Sequence, residues 1–468
     1  MEEPGRLDHQ CKELGAEESG MTCDLPLAPV ECGTDAGPLK PLPWWRPIYQ
    51  KRGKVLRPSF ANINPLKMWA GLKGHRGYRQ EYLLEMMRRK GRCDYVLERC
   101  TMCGRGEPEF HCQECSYAHL ECAACCVRCH TAMPLHVVWQ WDGTHFEKCS
   151  LRSIGLHIQL GHEDGSYCLL SKPAHHNFTV LHTNGLHKVA IDFCNCMEQV
   201  EPRQQMMCFG WFPSMVVQPR TGATFECLDT FMACTLTSKM STYDYYKSLA
   251  YQMDACGLDL PKNHYKPFLW MVREYRHLLL LMHGGKGNEQ DGATNVGSRE
   301  LAMDCPACLQ PGVNLPPDWQ EKPAVTKFKY TKLVVTDTNF HMCMQLRSDD
   351  IMDPGLHTGL AYYVEESAYK AHISKYASQK DISTCSGFKT LLHAEMKASS
   401  GLHATGVVMC LCARHKMVGG LSVGDLQKGE RYCNLDYITL SALKTFNSNK
   451  VFFSYDIACQ WFPGFVER

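Results

Sequence analysis

Four Cys-x2-Cys pairs, Cys100/Cys103, Cys112/Cys115, Cys122/Cys125 and Cys126/Cys129, fall within thirty residues, and His136 and His145 follow closely. A Cys-x2-Cys turn sets two thiolates on one side of a tight knuckle. Two such knuckles, or one knuckle and two imidazoles, close a tetrahedron around Zn2+. A stretch this dense in ligands folds by gripping metal, and its sites are closed and structural. The sequence predicts two interleaved sites: Cys100 and Cys103 with Cys122 and Cys125, and Cys112 and Cys115 with His136 and His145. Cys126, Cys129 and His130 compete for the same places. His162, Cys168, Cys194 and Cys196 form a third candidate set, and Cys305 and Cys308 with Cys412 and His415 a fourth.

The 28 cysteines occur in a chain with no basic-then-apolar export signal at its N-terminus, which favours reduced metal ligands over disulfides. No run approaches the roughly 18 apolar residues of a membrane span. No membrane partner is expected, and a nuclear or cytosolic location is, with the nucleus preferred.

Net charge is only +1, but its distribution is uneven: residues 1–43 hold nine acidic and three basic residues, whereas residues 44–92 hold thirteen Lys/Arg and two acidic. The first segment reads as a disordered acidic leader. The second mixes cations with Trp44, Trp45, Tyr49, Phe60, Trp69 and Tyr78, a composition suited to neutralising phosphates. Arg46, Lys51, Arg52, Lys54 and Arg57 are its candidate DNA-binding residues. A helix over 78–90 closes it, with Tyr82, Leu83, Met86 and Met87 as an apolar face.

Downstream, residues 93–200 read as the cysteine-cluster region and 201–300 as a helical connector, with 3.6-residue periodicity over 242–253 and 265–282 and a Gly-rich linker over 284–297. From residue 301 the pattern changes to β-branched strands between helices, clearest at 332–336, 405–410 and 451–454. The expected class is therefore α+β multidomain: a small zinc-stapled region, a helical middle, then a partial α/β domain. Asp337 follows the first of these strands and Asp456 the last. Carboxylates at the ends of neighbouring strands can converge on divalent metal ions.

Two sets of motifs resemble one family. Leu156-x-x-Gln159-Leu160-Gly161-His162, Cys168, Gly185-x-His187 and Phe193-Cys194-x-Cys196, preceded by the 69–92 stretch, are similar to the CxC2 cysteine cluster of KDZ (Kyakuja-Dileera-Zisupton) transposases. Cys305-Pro306-Ala307-Cys308, Asp337-Thr338-Asn339-Phe340, Cys412-Ala413-Arg414-His415, the 424–432 run with Gly429-Glu430-Arg431, and Tyr455-Asp456-Ile457-Ala458-Cys459-Gln460-Trp461 occur in that family's order.

The resemblance implies an RNase H-like catalytic domain over 301–468 with a three-carboxylate DDE site. Asp337 and Asp456 would be catalytic, Mg2+ or Mn2+ the catalytic ions, transposon-end DNA the partner, and a homo-oligomer the assembly. It also implies metal-dependent DNA strand cleavage and transfer. Two departures set this sequence apart: Thr338 stands where the family usually has Gly, and no residue before Arg468 matches the family's downstream Glu. Enzymatic activity is thus left open, with a transposase-derived DNA-binding protein lacking activity expected. The alternative is a non-enzymatic zinc-stabilised DNA-binding or interaction module. Glu430 and Arg431 read as an ion pair or as DNA contacts.

Overall fold

The computed structural model describes residues 64–465 except 73–76, 93–97, 117–119, 163–165, 197–199, 258–261, 347–353, 357, 377–400, 428 and 446–449. The acidic leader and Arg46, Lys51, Arg52, Lys54 and Arg57 lie outside the described residues. The chain forms two units, 1–84 and 85–468.

In the first unit, helix α1 (Pro65–Ala70) begins where the Asn64 side chain accepts the N–H groups of Leu66 and Lys67, and it ends at left-handed Gly71. The Trp69 and Tyr82 rings meet edge to face at 6.1 Å. Helix α2 (Arg79–Lys90), whose residues fall on both sides of the 84/85 division, matches the predicted span. Its apolar side, with Tyr82, Leu83, Met86 and Met87, is exposed.

The second unit opens with an antiparallel sheet of β1 (Phe110–Cys112), β2 (Val138–Trp141) and β3 (Phe146–Cys149), with helix α3 (Ala123–Cys129) connecting β1 to β2. Phe110, Cys126, Val138, Leu151 and Leu156 form its small core. A six-stranded sheet follows: β4 (His157–Leu160), β5 (Lys172–Pro173), β6 (Phe178–His182), β7 (Gly185–Phe193), β8 (Trp211–Pro213) and β9 (Thr221–Thr224). Helix α4 (Pro202–Cys208) lies between β7 and β8. The sheet thus runs on past residue 200, where the cysteine-cluster region was expected to end.

Helices α5 (Phe225–Ser238), α6 (Thr242–Met253) and α7 (Tyr265–His283) carry the expected periodicity. Leu228, Phe231, Leu249, Phe268 and Met271 bury against Leu181 and Leu186 of the sheet. Each face repeats every three to four residues, as a helix lying on a sheet requires. The Gly-rich stretch after α7 carries a short 3-10 turn in which buried Lys286 bonds Glu289 at 2.8 Å and also reaches Glu300.

The last part contains β10 (Lys332–Asn339), β11 (Met344–Gln345), helix α8 (Glu366–Tyr376), β12 (Leu402–Ala404), β13 (Gly406–Cys412), β14 (Val418–Leu426), helix α9 (Tyr432–Thr445), β15 (Val451–Ser454) and helix α10 (Ala458–Trp461). Its main sheet has the order β14-β13-β10-β15. The β14–β13 and β13–β10 pairs are antiparallel, and β15 runs parallel to β10. Leu435, Ile438 and Ala442 of α9 pack with Val334, Val408, Cys410 and Leu426 of the sheet. The helix comes close because Gly424 has no side chain: a Cβ there would lie 2.6 Å from Ile438 Cδ1. The expected strands are present, with β10 and β13 extending two or three residues past their predicted ends. Among the described residues, no helix is long and apolar enough to cross a membrane.

Candidate metal centres and the paired aspartates

Four sets of four side chains each bring their ligand atoms within 4.8 Å of one another: Cys100, Cys103, Cys122 and Cys125; Cys112, Cys115, His130 and His136; His162, Cys168, Cys194 and Cys196; and Cys305, Cys308, Cys412 and His415. A tetrahedral zinc with Zn–S bonds of about 2.3 Å holds its sulfurs roughly 3.8 Å apart. In the first set Cys103 Sγ lies 3.8 Å from Cys122 Sγ, so the donors fit zinc in number, chemistry and spacing.

The first set joins the 100–103 turn to the start of α3. The N–H of Cys122 points at Cys100 Sγ, 3.3 Å away, and Arg128 Nη2 donates to Cys125 Sγ at 3.5 Å. Crowding four thiols divides their acidities. Burial opposes ionisation of Cys100, but N–H groups of Cys122, Cys103 and Met102 bring it down to about 6. Burial and the neighbouring cysteines push Cys125 up to about 12. A bound cation would remove this conflict by favouring thiolate at all four positions.

The second set departs from the expected pairing, with His130 in the place predicted for His145. The β2–β3 hairpin carries His145 to its tip. There Asp142 Oδ1 accepts the N–H groups of Thr144 and His145 at 2.7 Å each, and the exposed His145 ring bonds Asp142 Oδ2 at 2.8 Å. Helix α3 instead delivers His130, whose Nε2 is 3.5 Å from Cys115 Sγ, while His136 Nδ1 is 3.5 Å from Cys112 Sγ. His130 Nδ1 donates to the Cys126 carbonyl at 2.8 Å, which leaves Nε2 free as the ligand atom. Cys126 and Cys129 belong to neither of the first two sets. Cys126 packs in the core beside Phe110 and Val138, and burial raises both thiols' pKa.

The third set hangs on the ends of β4 and β7. His162 Nε2 is 3.2 Å from both Cys194 Sγ and Cys196 Sγ, and its Nδ1 is fixed by Ser166 Oγ at 2.7 Å. Gly161, at φ 91°, turns the chain into the site; a Cβ there would lie 2.6 Å from that of Cys194. Buried Gln205 holds the Cys194 backbone and had no signal in the sequence, since it lies on a helix outside any cysteine spacing.

The fourth set unites the 305–308 knuckle with the end of β13. Cys308 Sγ is 3.0 Å from Cys412 Sγ, and His415 Nδ1 is 3.4 Å from both Cys305 and Cys412. Burial raises Cys308, whereas for Cys412 burial is outweighed by Cys308 and by N–H groups of His415 and Arg414, which bring it to about 7.

Asp337 lies within β10, and Asp456 lies in the turn just past β15, the strand that runs parallel to β10. The β10–β15 ladder pairs Lys332 with Val451 through Val335 with Ser454, so the two aspartates each stand two residues beyond its last pair, at one edge of the sheet. Both are exposed. Crevices beyond the carboxyl ends of such strands are where open α/β sheets bind ligands. Beside them is Glu430, which is 5% exposed. It is bonded to hydroxyl groups: Thr338 Oγ1 and Tyr455 Oη each donate to Glu430 Oε1 at 2.7 Å. Burial chiefly, with Asp337 and Asp456 adding to it, raises the Glu430 pKa.

Two family models match parts of the chain. Residues 151–257 match the CxC2 like cysteine cluster associated with KDZ transposases, and residues 330–468 match the Kyakuja-Dileera-Zisupton transposase. The first match takes in the six-stranded sheet and helices α5 and α6, and the second begins just before β10. No curated protein and no solved structure gives a match.

Proposed function

We propose, from the premise that this chain is a KDZ transposase with a CxC2 region, that it is a transposase-derived DNA-binding protein acting in the nucleus. Its four cysteine/histidine sets hold structural zinc. Its last domain is RNase H-like, with Asp337 and Asp456 as the residues that hold a divalent cation. The observation that carries this reading is the parallel β10–β15 pairing, which brings two exposed carboxylates from sequence-distant strands to one edge. Oxygen ligands of this kind suit Mg2+ or Mn2+, which need only one or two protein carboxylates when phosphate supplies the rest. When bound, such ions activate an attacking hydroxyl and stabilise a leaving oxygen.

Strand transfer is proposed to be inactive here. The acidic neighbour that the pair possesses, Glu430, is buried with one oxygen engaged by two hydroxyls. DNA contact is assigned to the basic strip, through Arg46, Lys51, Arg52, Lys54 and Arg57, with affinity falling steeply as salt rises.

The test is duplex binding and plasmid nicking by the full-length protein with Mg2+ or Mn2+. Binding whose salt slope flattens when Lys51, Arg52, Lys54 and Arg57 are neutralised, with no nicking, is the expected result. Nicking that disappears in Asp337→Asn would overturn the inactivity. A salt slope unmoved by the four substitutions would remove the DNA assignment.

A further inference from the structure

We infer that Glu430 is a positioning residue: its carboxylate ties the strand end bearing Asp337 to the strand end bearing Asp456. The inference rests on the proposed role of those two aspartates as a cation-binding pair.

Backbone pairing between β10 and β15 ends with Val335 opposite Ser454. On its other side β10 stays paired with β13 as far as Asn339 opposite Val407, so Asp337 is held by that neighbour. Asp456, two residues past the end of the β15 ladder, lacks this support. What bridges the gap is a side chain. Thr338, directly after Asp337, and Tyr455, directly before Asp456, both donate their hydroxyls to Glu430 Oε1 at 2.7 Å. One oxygen thus receives a bond from each strand end. Hydrogen bonds to a carboxylate are among the stronger ones, and in a buried setting they fix geometry as well as satisfy charge.

The clamp is itself anchored at all three corners. Tyr455 is buried, with its ring edge-on to Trp461 at 6.0 Å. Thr338 lies within β10. Glu430 follows Gly429, which has a left-handed φ of 61° and donates its N–H to the buried Thr405 hydroxyl at 2.8 Å. Thr338 then has a use that glycine at that position would not have: it supplies one of the two hydroxyls.

A positioning role depends on an acceptor oxygen at Glu430 and not on its charge. Gln offers the same oxygen, whereas Ala offers none. The experiment measures full-length protein in two ways: hydrogen exchange of the 451–458 segment in metal-free buffer, and Mn2+ affinity by electron paramagnetic resonance. Glu430→Gln is expected to keep exchange and Mn2+ affinity within about threefold of the parent. Glu430→Ala, and the volume-preserving pair Thr338→Val with Tyr455→Phe, are expected to speed exchange and to weaken Mn2+ binding by about tenfold or more, as loss of a supporting residue behind a metal ligand does, with zinc content unchanged. The Thr338→Val and Tyr455→Phe pair serves if Glu430→Ala does not fold.

Unchanged exchange in the Thr338/Tyr455 pair overturns the clamp. Equal losses in Glu430→Gln and Glu430→Ala also overturn it, because charge would then matter in place of acceptor geometry. Mn2+ binding that is absent in the parent, or indifferent to Asp337→Asn and Asp456→Asn, defeats the proposed cation site instead, and the exchange measurement still decides the clamp.

Discussion

The Gln205 side chain and the Cys194 backbone bond each other twice: Oε1 accepts the Cys194 N–H at 2.9 Å and Nε2 donates to the Cys194 carbonyl at 2.9 Å. A glutamine from helix α4 thereby sets the direction in which the Cys194 thiol leaves β7. Gln205→Ala would remove both of these bonds, leaving the Cys194 N–H with the Leu160 carbonyl at 3.1 Å, at a cost of about 1 kcal/mol for each hydrogen bond lost. Zinc retention at the third set is expected to fall by about 10–100-fold. Chelator competition on the variant and the parent measures it.

His130 and His145 separate the two pairings of the second knuckle. Replacing His130 by Ala is expected to cost one equivalent of zinc, while His145→Ala, at the hairpin tip, is expected to cost none. Metal analysis after purification under reducing, zinc-replete conditions decides between them. The opposite result would restore the pairing expected from sequence spacing.

Zinc binding should depend on pH with a definite sign. Cys125, pushed up to about 12 by burial and its neighbours, and Cys196, at about 11 through Cys194 and burial, carry protons at neutral pH in the metal-free chain. Each must lose its proton to ligate. Zinc uptake is therefore expected to release protons at pH 7 and to weaken as pH falls. A pH indicator during titration reads the release directly.

The β2–β3 turn offers a second pH test. N–H groups of His145 and Thr144 hold the Asp142 carboxyl down to about 2. With a folded pKa below the ordinary carboxylate value near 4, its contribution is full above that value and disappears as pH falls through about 2. Amide exchange at Thr144 and His145 should accelerate over that window, and Asp142→Asn should show weaker pH dependence there.

Leu435 is fully buried where α9 meets the sheet. Leu435→Ala is expected to destabilise this part of the chain by about 2–5 kcal/mol, read from denaturant unfolding followed by tryptophan emission of Trp461 in the same core.

Residue spacing pointed to three of the four ligand sets: a Cys-x2-Cys turn fixes its own geometry within four residues in the first and fourth, and the Cys194-x-Cys196 pair marked the third. The second set was only half legible. Its histidines were to be chosen among candidates at similar separations, and the choice was made by the direction of α3 and the reach of a hairpin, neither visible in spacing. Strands β10 and β15 were anticipated from β-branched runs. Glu430 was singled out, yet its partners could not be, since a hydroxyl 92 residues away has no local signature. The apolar side of α2 shows the converse: periodicity identified the face, but not whether anything covers it.

The four ligand sets also differ in the chain lengths they close. Contacts in the first three span 22, 24 and 34 residues, whereas Cys308 and Cys412 are 104 apart. Loop-closure entropy grows with the logarithm of length, so the long connection costs only about 1.3 kcal/mol more than the 24-residue one. The larger difference is kinetic. The first three sets can form from segments already near one another along the chain. The fourth has no partner for its knuckle until β13 has run back from the turn beyond β12, so a zinc ion there fastens a domain entrance after the strands behind it have found their order.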